Sequence, residues 1–459
     1  MNLKNLKRVY FIGIGGIGMS ALARYFKFLG KEVHGYDRTS TLLTEELVQE
    51  GMVIQYDASP QHITKAYHQG NSETLVVYTP AIPTDHPLMT FFKEGEHNLY
   101  KRSAVLGLIT KESKTVAIAG THGKTTTSSI LAHTLHSNGH GCNAFLGGIT
   151  VNYESNFLFS GEHAMTVVEA DEFDRSFLTL NPYLSVITSM DADHLDVYGN
   201  VEEFEEGFRL FAQKNAVEGV VFFHDSLPQV HTRSKQQRYG HQDSSFASVM
   251  NERDEYGAYL NFIIGDVRIE KIRFQMPGEH NASNALAAAC VCLELGLTKS
   301  EIKQGLESFK GIKRRFEIHI NREDLVYIDD YAHHPTEITA TIKAVKHHYP
   351  KRKVTGVFQP HLFTRTKDFA DEFAKSLEVL DEIILLEIYP AREKPIEGID
   401  SQWLLDKISN PQKKRVNKER LLQNMDVESL DVLLTLGAGD IDTLVQPLIN
   451  KLKDNAVKA

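Results

Sequence analysis

A glycine-rich segment with one lysine is the part of this sequence whose residue types best fit the binding of an anion. The run Gly120-Thr-His-Gly-Lys124-Thr-Thr-Thr follows the apolar segment Thr115–Ala119 and precedes a helical pattern. In such a loop the backbone N–H groups converge on an anion, and the positive end of the helix dipole adds to the attraction. Lys124 supplies a charge for the β and γ phosphates of a nucleotide, and Thr125 offers a hydroxyl to Mg²⁺. The loop is shorter than the usual phosphate loop, whose first glycine would lie at Ile118. The predicted phosphate-binding residues are Gly120, Thr121, His122, Gly123, Lys124, Thr125 and Thr126.

Acidic residues follow two further apolar segments of the same region. Glu169 ends Ala164–Glu169, and the segment Leu184–Ser189 leads into Asp191-Ala-Asp-His-Leu-Asp196. Either cluster alone is typical of a solvated loop. Both would lie at the carboxyl edge of a parallel sheet, beside the phosphate loop, where ligands of open α/β sheets bind. Together they predict a metal–phosphate site, with Thr125, Glu169 and His194 as the metal ligands. Mg²⁺ prefers oxygen ligands. The alternative for His194 is therefore a contact with one of the metal-binding side chains instead of the metal itself, or a site that also accepts Mn²⁺.

A second glycine-rich segment lies close to the N-terminus. The pattern Gly13-Ile-Gly15-Gly16-Ile-Gly18 resembles the dinucleotide fingerprint, and Asp37 follows roughly 20 residues later, where a ribose-binding acid is expected. The pattern indicates a pyrophosphate and a ribose without specifying which nucleotide. One loop with a lysine and one without predict two different nucleotides in one chain.

Parallel strands are needed to position these loops, and the apolar segments provide them. Short apolar runs alternate with helical patterns, as in βαβ units. Three stretches each begin with such a strand, a glycine turn and a helix, and residues 255–276 show an alternating, β-like pattern. The sequence therefore predicts an α/β protein with domains at 1–112, 113–313 and 314–459.

The composition is that of a globular protein and limits the partners. The 459 residues include 60 acids against 50 Lys and Arg, for a net charge of -10. Nucleic acids and anionic membranes need clustered positive charge, so neither is expected as a partner. Three cysteines cannot build a disulfide framework, which fits a reducing cytoplasm. The stretch after Lys4 and Arg8 imitates a secretion signal, but its glycines belong to the nucleotide pattern. We expect a cytoplasmic protein, and the sequence is compatible with a monomer or a homodimer.

A series of motifs between about residue 9 and residue 440 resembles that of the Mur ligases, the amide-bond-forming enzymes of peptidoglycan synthesis. Several motifs in one order are far more specific than any one of them. The N-terminal glycine motif, Gln359-Pro-His-Leu-Phe-Thr-Arg365 and Leu436-Gly-Ala-Gly-Asp440 are most similar to the alanine-adding branch. The other motifs are Gly120-Thr-His-Gly-Lys-Thr-Thr, Glu169-Ala-Asp-Glu, Asp193-His194, Gly278-Glu-His-Asn-Ala-Ser-Asn284, Arg314-Arg-Phe316 and Asp329-Asp-Tyr-Ala-His-His-Pro-Thr-Glu337.

The resemblance implies three domains and one reaction. The N-terminal domain would be Rossmann-like and bind a UDP-sugar, the central domain would be a phosphate-loop ATPase with a mixed sheet, and the C-terminal domain would be dehydrogenase-like. ATP would phosphorylate the lactyl carboxylate of UDP-N-acetylmuramate, and the amine of L-alanine would attack the acyl phosphate. The protein would contribute positioning, Mg²⁺ charge and cationic stabilisation.

The resemblance also assigns residues at the matching positions. Catalysis would depend on Lys124, Glu169, His194, Arg315 and Arg365, with Lys124 on the β and γ phosphates and Arg315 on the γ phosphate. Asn281 and Asn284 would read the adenine, and Asp330 would bind the ATP ribose; helix capping and turn chemistry near Gly278 is the alternative for the asparagines. The UDP-substrate would contact Gly13, Gly15, Gly16, Gly18, Asp37 and Thr79. The alanine pocket would consist of Tyr331, His333, His361 and Arg365.

Three positions depart from the family pattern. Leu362 replaces an arginine that commonly follows the histidine of Gln-Pro-His, so one guanidinium for the acceptor carboxylate is missing. Ser189 stands where an asparagine is usual. Other branches carry a carbamylated lysine where this chain has Phe208 and Arg209, which favours the alanine-adding branch.

Three alternatives remain open at this point. A recycling ligase would add a tripeptide to the same UDP-substrate, and only the acceptor pocket distinguishes it. An NAD-dependent oxidoreductase would use the N-terminal glycine loop but leaves Lys124, Glu169 and His194 unexplained. A regulatory nucleotide-binding module leaves the metal and phosphate set unexplained.

Overall fold

The structure is a computed structural model that describes residues 3–191, 195–242, 244–255, 257–391 and 393–456. Three sheets with flanking helices form the described chain, which is α/β as predicted. The chain divides into two compact units, residues 1–274 with 283–310 and residues 275–282 with 311–459. Among the described residues, no helix combines the length and the apolar character needed to cross a membrane.

The first sheet has five parallel strands in the order β3-β2-β1-β4-β5, which is the Rossmann order around the first glycine loop. Its strands are β1 (Arg8–Ile12), β2 (Glu32–Tyr36), β3 (Val53–Gln55), β4 (Thr74–Tyr78) and β5 (Leu99–Lys101). Its helices are α1 (Ile17–Phe28), α2 (Leu42–Gln49), α3 (Pro87–Glu94) and α4 (Arg102–Glu112).

The second sheet has ten strands in the order β15-β14-β13-β12-β11-β10-β6-β9-β7-β8, parallel from β13 to β7 and antiparallel at both ends. The strands are β6 (Thr115–Ala119), β7 (Asn143–Thr150), β8 (Ser155–Leu158), β9 (Thr166–Ala170), β10 (Leu184–Ile187), β11 (Val220–His224), β12 (Lys235–Gly240), β13 (Ala247–Asp254), β14 (Gly257–Ile264) and β15 (Val267–Ile272). The helices are α5 (Lys124–Ser137), α6 (Leu195–Tyr198), α7 (Val201–Gln213), α8 (Glu279–Glu294) and α9 (Lys299–Ser308).

The third sheet has six strands in the order β16-β17-β21-β18-β19-β20, and only β16 is antiparallel to its neighbour. The strands are β16 (Glu317–Asn321), β17 (Val326–Asp330), β18 (Val354–Phe358), β19 (Glu382–Leu385), β20 (Lys413–Arg415) and β21 (Val432–Leu436). The helices are α10 (Pro335–His348), α11 (Phe363–Asp368), α12 (Ala370–Leu377), α13 (Ser401–Lys407), α14 (Lys418–Asn424) and α15 (Val445–Ala456).

The central strands consist mainly of apolar residues, with Asp329 and Asp330 at the end of β17 as the charged exceptions. β6, β17, β18 and β21 are buried at every position, the pattern expected for parallel strands. The apolar segments predicted to form strands around Thr115–Ala119, Ala164–Glu169 and Leu184–Ser189 are β6, β9 and β10, and the β-like pattern at 255–276 is confirmed by β14 and β15. The predicted boundary at 112 falls between α4 and β6, and the boundary at 313 falls between α9 and β16.

One buried arginine joins α1 to the edge of the second sheet. Arg24 donates from Nη1 to Asn156 Oδ1 of β8 at 2.5 Å and from Nε and Nη2 to Glu50. The Nδ2 of the buried Asn156 donates in turn to Ile17 O at 2.6 Å and to Ser20 Oγ at 2.9 Å. The start of α1, which carries the first glycine loop, is therefore fixed to the second sheet by hydrogen bonds.

Replacing Arg24 should destabilise this unit. Arg24→Gln leaves Asn156 Oδ1 buried without its donor and leaves Glu46 and Glu50, which both pair with Arg24, without their cation. We therefore expect a loss of about 2–4 kcal/mol in the free energy of unfolding. Differential scanning calorimetry should show the transition of this unit several degrees lower.

Lys7→Gln is the matched control, because the Lys7–Glu73 pair at 2.6 Å is solvent-exposed. Such pairs contribute about 0–1 kcal/mol, so its transition should hardly move. Equal shifts of the transition temperature in the two variants would contradict a stabilising role of the hydrogen bonds between Arg24 and Asn156.

Candidate active site

The phosphate loop lies between β6 and α5, as the sequence predicts. Gly123 precedes the first residue of α5 with φ 83° and ψ -7°, the left-handed conformation that glycine adopts at little cost. An alanine Cβ at this position would lie 2.5 Å from Asn284 Oδ1. A glycine is therefore required twice, for the backbone conformation and for the close approach of α8.

Lys124 is the first residue of α5, and its ammonium is enclosed by acceptors. Its Nζ donates to Glu172 Oε1 at 2.9 Å, to Glu172 Oε2 at 2.7 Å and to the carbonyl of Gly120 at 2.6 Å. Burial alone lowers the pKa of Lys124, but the carboxylates of Glu172, Asp171 and Glu169 outweigh that effect. The pKa of Lys124 lies above its ordinary value, so the lysine stays cationic inside the loop.

Glu169 and Thr125 form a set of oxygen donors beside this lysine. The Thr125 hydroxyl donates to Glu169 Oε2 at 3.0 Å, and the other carboxylate oxygen accepts from Ser128 Oγ at 3.2 Å and from the Gly147 N–H. Burial raises the pKa of Glu169, and these hydrogen bonds and Lys124 oppose the shift. Two hard oxygen ligands at a phosphate loop fit the preference of Mg²⁺.

Residues directly after β10 contact the phosphate loop as well. The N–H of His122 donates to Ser189 Oγ at 2.8 Å, and His122 Nε2 lies 3.3 Å from Asp191 Oδ2. Ser189 thus binds the loop backbone at the position where the family usually has asparagine. The predicted ligand His194 and its neighbour Asp193 lie outside the described residues, so their role stays a prediction.

The two asparagines of α8 have different partners. Asn284 Oδ1 accepts from Thr127 Oγ1 at 3.2 Å, which ties α8 to α5. Asn281 Nδ2 donates to the carbonyl of Pro277 at 2.8 Å, a turn-stabilising contact. Their proposed contact with adenine stays a prediction.

The first glycine loop, residues 13–18, contacts both Asp37 and Thr79, which the resemblance assigns to the same site. The Gly15 N–H donates to Asp37 Oδ2 at 2.8 Å, and a Cβ on Gly13 would lie 2.6 Å from the side chain of Thr79. A Cβ on Gly18 would lie 2.6 Å from Arg102 Nη1, so the guanidinium packs directly on the loop.

Asp330 ends β17 in the second unit and is fully buried. Its carboxylate accepts from the N–H groups of Phe316 and Ala332, each at 2.7 Å. Burial raises the pKa of Asp330 to about 6, although Arg315 and the two N–H groups act in the opposite direction.

The predicted acceptor residues of the second unit lie together. The rings of Tyr331 and His333 are 5.3 Å apart, and those of His333 and His361 are 6.0 Å apart. His333 Nδ1 lies 3.2 Å from Glu337 Oε2, and the guanidinium of Arg315 lies 5.0 Å from the centre of the Tyr331 ring. The buried Arg365 lies in α11, four positions after His361 in the sequence.

Three of the eight described non-glycine residues with positive φ lie next to these residues. Arg314 and Phe316, on either side of Arg315, have φ 61° and 49°, and Leu362 beside His361 has φ 71°. Such values cost non-glycine residues of order 1–3 kcal/mol and are found most often at functional sites. Leu362, which departs from the family pattern, therefore still holds a constrained position in the acceptor region.

Sequence reasoning missed four residues that hold the predicted ones. Glu172 binds Lys124, Glu337 faces His333, Tyr389 stacks on His361 at 5.7 Å, and Arg102 packs on the first glycine loop. Glu172 and Glu337 stand inside the quoted motifs, whereas no local pattern marks Arg102 or Tyr389.

Comparison with protein families decides which proteins this chain is related to. Residues 8–114 match the model "Mur ligase family, catalytic domain", residues 118–292 match "Mur ligase middle domain", and residues 314–439 match "Mur ligase, glutamate ligase domain". The chain belongs to the Mur ligase family. Each of the three sheets corresponds to the part of the chain that matches one of the three domains, which confirms the predicted α/β fold class.

Relatives of this Mur ligase are similar over their full length. The UDP-N-acetylmuramate–L-alanine ligase of Flavobacterium psychrophilum is 50% identical over 455 residues, which cover 99% of this chain and all of the relative. That of Parabacteroides distasonis is 45% identical, with 98% of each chain covered. The crystal structure of the UDP-N-acetylmuramate–alanine ligase of Thermotoga maritima superimposes with a TM-score of 0.83 at 25% identity, over 98% of this chain and 99% of the other. A murein peptide ligase of Psychrobacter arcticus gives a TM-score of 0.70 at 22% identity, over 97% and 98%.

Gly123→Ala should weaken ATP binding. The added Cβ forces Asn284 or the loop to move, so we expect the dissociation constant of a non-hydrolysable ATP analogue to rise about tenfold or more, measured by isothermal titration calorimetry.

Gly139→Ala is the matched control at the other end of α5. Gly139 has nearly the same conformation, with φ 77°, and among the described residues no atom lies within 4 Å of its added Cβ. It should cost similar stability and leave ATP binding unchanged. Equal affinities in the two variants would contradict the role of the close approach.

The stability of the second unit should depend on pH through Asp330. Since its folded pKa of about 6 exceeds the ordinary value of 3.8, the folded state binds its proton more tightly than the unfolded chain. The stabilisation is complete below about pH 4 and is lost as the pH rises through 6, by about 3 kcal/mol.

Asp330→Asn should remove this slope. Trp403, the single tryptophan, lies in α13 of the same unit and reports its urea unfolding by fluorescence. Between pH 4.5 and pH 6.5 the unfolding free energy of the wild type should fall relative to that of the variant. A constant difference would show that burial does not raise this pKa.

Proposed function

We propose that the chain is an ATP-dependent ligase that joins L-alanine to the lactyl carboxylate of UDP-N-acetylmuramate. The observation that carries the proposal is 50% identity across 99% of the chain with a relative named for this reaction. The site chemistry supports it, because a buried cation and oxygen donors lie at a phosphate loop while a second glycine loop is available for the UDP group.

The reaction needs activation because a carboxylate is a poor electrophile. A carboxylate oxygen attacks the γ phosphorus of ATP, the bond to the β-phosphate oxygen breaks, and ADP leaves. The amine of L-alanine then attacks the carbonyl carbon, phosphate leaves with the carboxylate oxygen, and the amine loses a proton. The protein has no covalent step to perform, so positioning and charge stabilisation supply the rate.

Lys124 would hold the β and γ phosphates, with the N–H groups at the start of α5 around them. Thr125 would hold Mg²⁺, and Glu169 and His194 would hold a second metal near the acyl phosphate, as the resemblance implies. Bound Mg²⁺ supplies positive charge to the phosphate oxygens during transfer. Since burial raises the pKa of Glu169, a cation at this carboxylate would favour its ionised form.

The other two ligands would use the two remaining clusters. Gly13, Gly15, Gly16 and Gly18 would approach the diphosphate, with Asp37 and Thr79 beside them. Tyr331, His333, His361 and Arg365 would form the alanine pocket, with Arg365 pairing the carboxylate. Arg315 would bind the γ phosphate, Asp330 the ribose, and Asn281 and Asn284 the adenine.

The reaction would take place in the cytoplasm, where ATP is available and thiols stay reduced. The three cysteines are unpaired and buried, which fits that compartment. The partners would be the three small-molecule substrates.

ADP release should require both UDP-N-acetylmuramate and L-alanine. We expect a coupled assay with Mg²⁺ to show turnover only with the full set, and Lys124→Ala to abolish it while UDP-substrate binding persists.

Acceptor competition separates the alternatives in the same assay. Turnover with L-alanyl-D-glutamyl-diaminopimelate but not with L-alanine would assign the recycling reaction instead. ADP release that no amino acid or peptide stimulates would contradict the ligase proposal.

A further inference from the structure

Residues 171–174, which follow β9, form a short acidic segment. Two cations, one at each glycine-rich loop, pair with consecutive residues of this segment. Arg102 Nη2 lies 3.1 Å from Asp171 Oδ2, and Lys124 Nζ lies 2.7 Å from Glu172 Oε2. The segment follows β9, between the first glycine loop and the phosphate loop.

The Arg102 pair belongs to the first glycine loop. Arg102 is the first residue of α4, and its Nη1 lies where a side chain on Gly18 would begin. The pair is partly exposed, with 24% of the Arg102 side chain and 41% of the Asp171 side chain accessible. An anion at the glycine loop can therefore compete with Asp171 for the guanidinium.

The Lys124 pair belongs to the phosphate loop. Glu172 is 2% exposed and binds the ammonium through both carboxylate oxygens. A nucleotide that takes Lys124 must weaken this buried pair, which costs free energy because it leaves Glu172 with less compensation.

The backbone of the segment connects the two pairs. The carbonyl of Asp171 accepts from the N–H of Phe177 at 2.9 Å, and the carbonyl of Glu172 accepts from Tyr198 Oη at 2.6 Å. The carbonyl of Glu172 also accepts from the N–H of Arg175 at 3.0 Å, and Asp171 Oδ1 accepts from the N–H of Phe173 at 3.2 Å. Because Asp171 and Glu172 share one planar peptide unit, a backbone movement at one of them displaces the other. Release of the Asp171 pair lowers the cost of loosening the Glu172 pair.

We propose that Asp171 and Glu172 are positioning residues that couple the two anion sites, so that the UDP-substrate and ATP each strengthen the binding of the other. The proposal rests on the proposed function for the identity of the two ligands. Without such a device, two anionic ligands on one protein would be expected to oppose each other. By linkage the coupling is reciprocal, and factors of about 5–150 are typical.

Titration calorimetry measures this coupling directly. A non-hydrolysable ATP analogue with Mg²⁺ is titrated into the full chain, with and without saturating UDP-N-acetylmuramate and without L-alanine. The wild type should bind the analogue at least about fivefold more tightly with the UDP-substrate present. Asp171→Asn lacks the Arg102 pair from the start, so it should bind the analogue alone more tightly than the wild type and reduce this ratio below about twofold.

Asp174→Asn is the matched control. Asp174 lies in the same segment and pairs with Lys101 at 3.4 Å, next to Arg102, but it contacts neither loop glycine nor Lys124. The control should keep the wild-type ratio. It removes the neighbouring ion pair between Asp174 and Lys101 at the end of β5, so a lowered ratio in this variant as well would indicate a merely structural effect.

Glu172→Gln provides a second readout that does not depend on the folding of Asp171→Asn. Loss of the competing carboxylate should tighten the binding of the analogue alone and also reduce the ratio. A purely structural role predicts weaker binding.

The outcomes distinguish the two proposals. A wild-type ratio near one, or an unchanged ratio in Asp171→Asn, overturns the coupling although both ligands bind. Failure of the UDP-substrate to bind at all overturns the proposed function, and the coupling with it.

Discussion

A lysine buried at the first residue of a helix keeps its charge only where carboxylates surround it, and much of the site depends on this requirement. The dipole of α5 adds positive potential at Lys124, so the compensating charge must come from outside the helix. Glu172 supplies it through both oxygens, with Asp171 and Glu169 nearby. The end of β9 and the segment after it are thereby fixed against the phosphate loop. In a chain with a net charge of -10, the positive charge available to the proposed anionic ligands is confined to single side chains such as Lys124.

At the first glycine loop a cation is likewise paired with a carboxylate, but this ion pair is less buried than that of Lys124. Arg102 packs on Gly18 and pairs with Asp171, while Arg24 and Asn156 fix the start of α1 to β8. The loop is thus held by a rigid joint on one side and by a partly exposed ion pair on the other. In the second unit the burial that raises the pKa of Asp330 and the strained backbone around Arg315 and Leu362 again lie at residues assigned to ligands. Buried charged groups and three strained backbone positions therefore lie where the ligands are expected.

The sequence predicts the features that depend on local pattern. Apolar runs ending in glycine or acidic residues gave the strands, both loops and the position of Glu169, because the carboxyl ends of parallel strands share one edge. Long-range partners were not predictable in this way, since Arg102 and Asp171 are separated by 69 positions and no period relates them. Within the Glu-Ala-Asp-Glu motif, pattern alone could not decide which carboxylate faces the threonine and which the lysine. The fold and the family assignment are confirmed, whereas the individual ligand contacts, the domain boundaries and His194 stay predictions.

The proposed reaction depends above all on the transfer of a phosphoryl group from ATP to a carboxylate. The most direct measurement uses UDP-N-acetylmuramate labelled with ¹⁸O in both lactyl carboxylate oxygens, together with ATP, Mg²⁺ and L-alanine. Mass spectrometry of the products should find one ¹⁸O atom in the released phosphate and one in the new amide. Phosphate without ¹⁸O, formed alongside the amide product, would contradict the account.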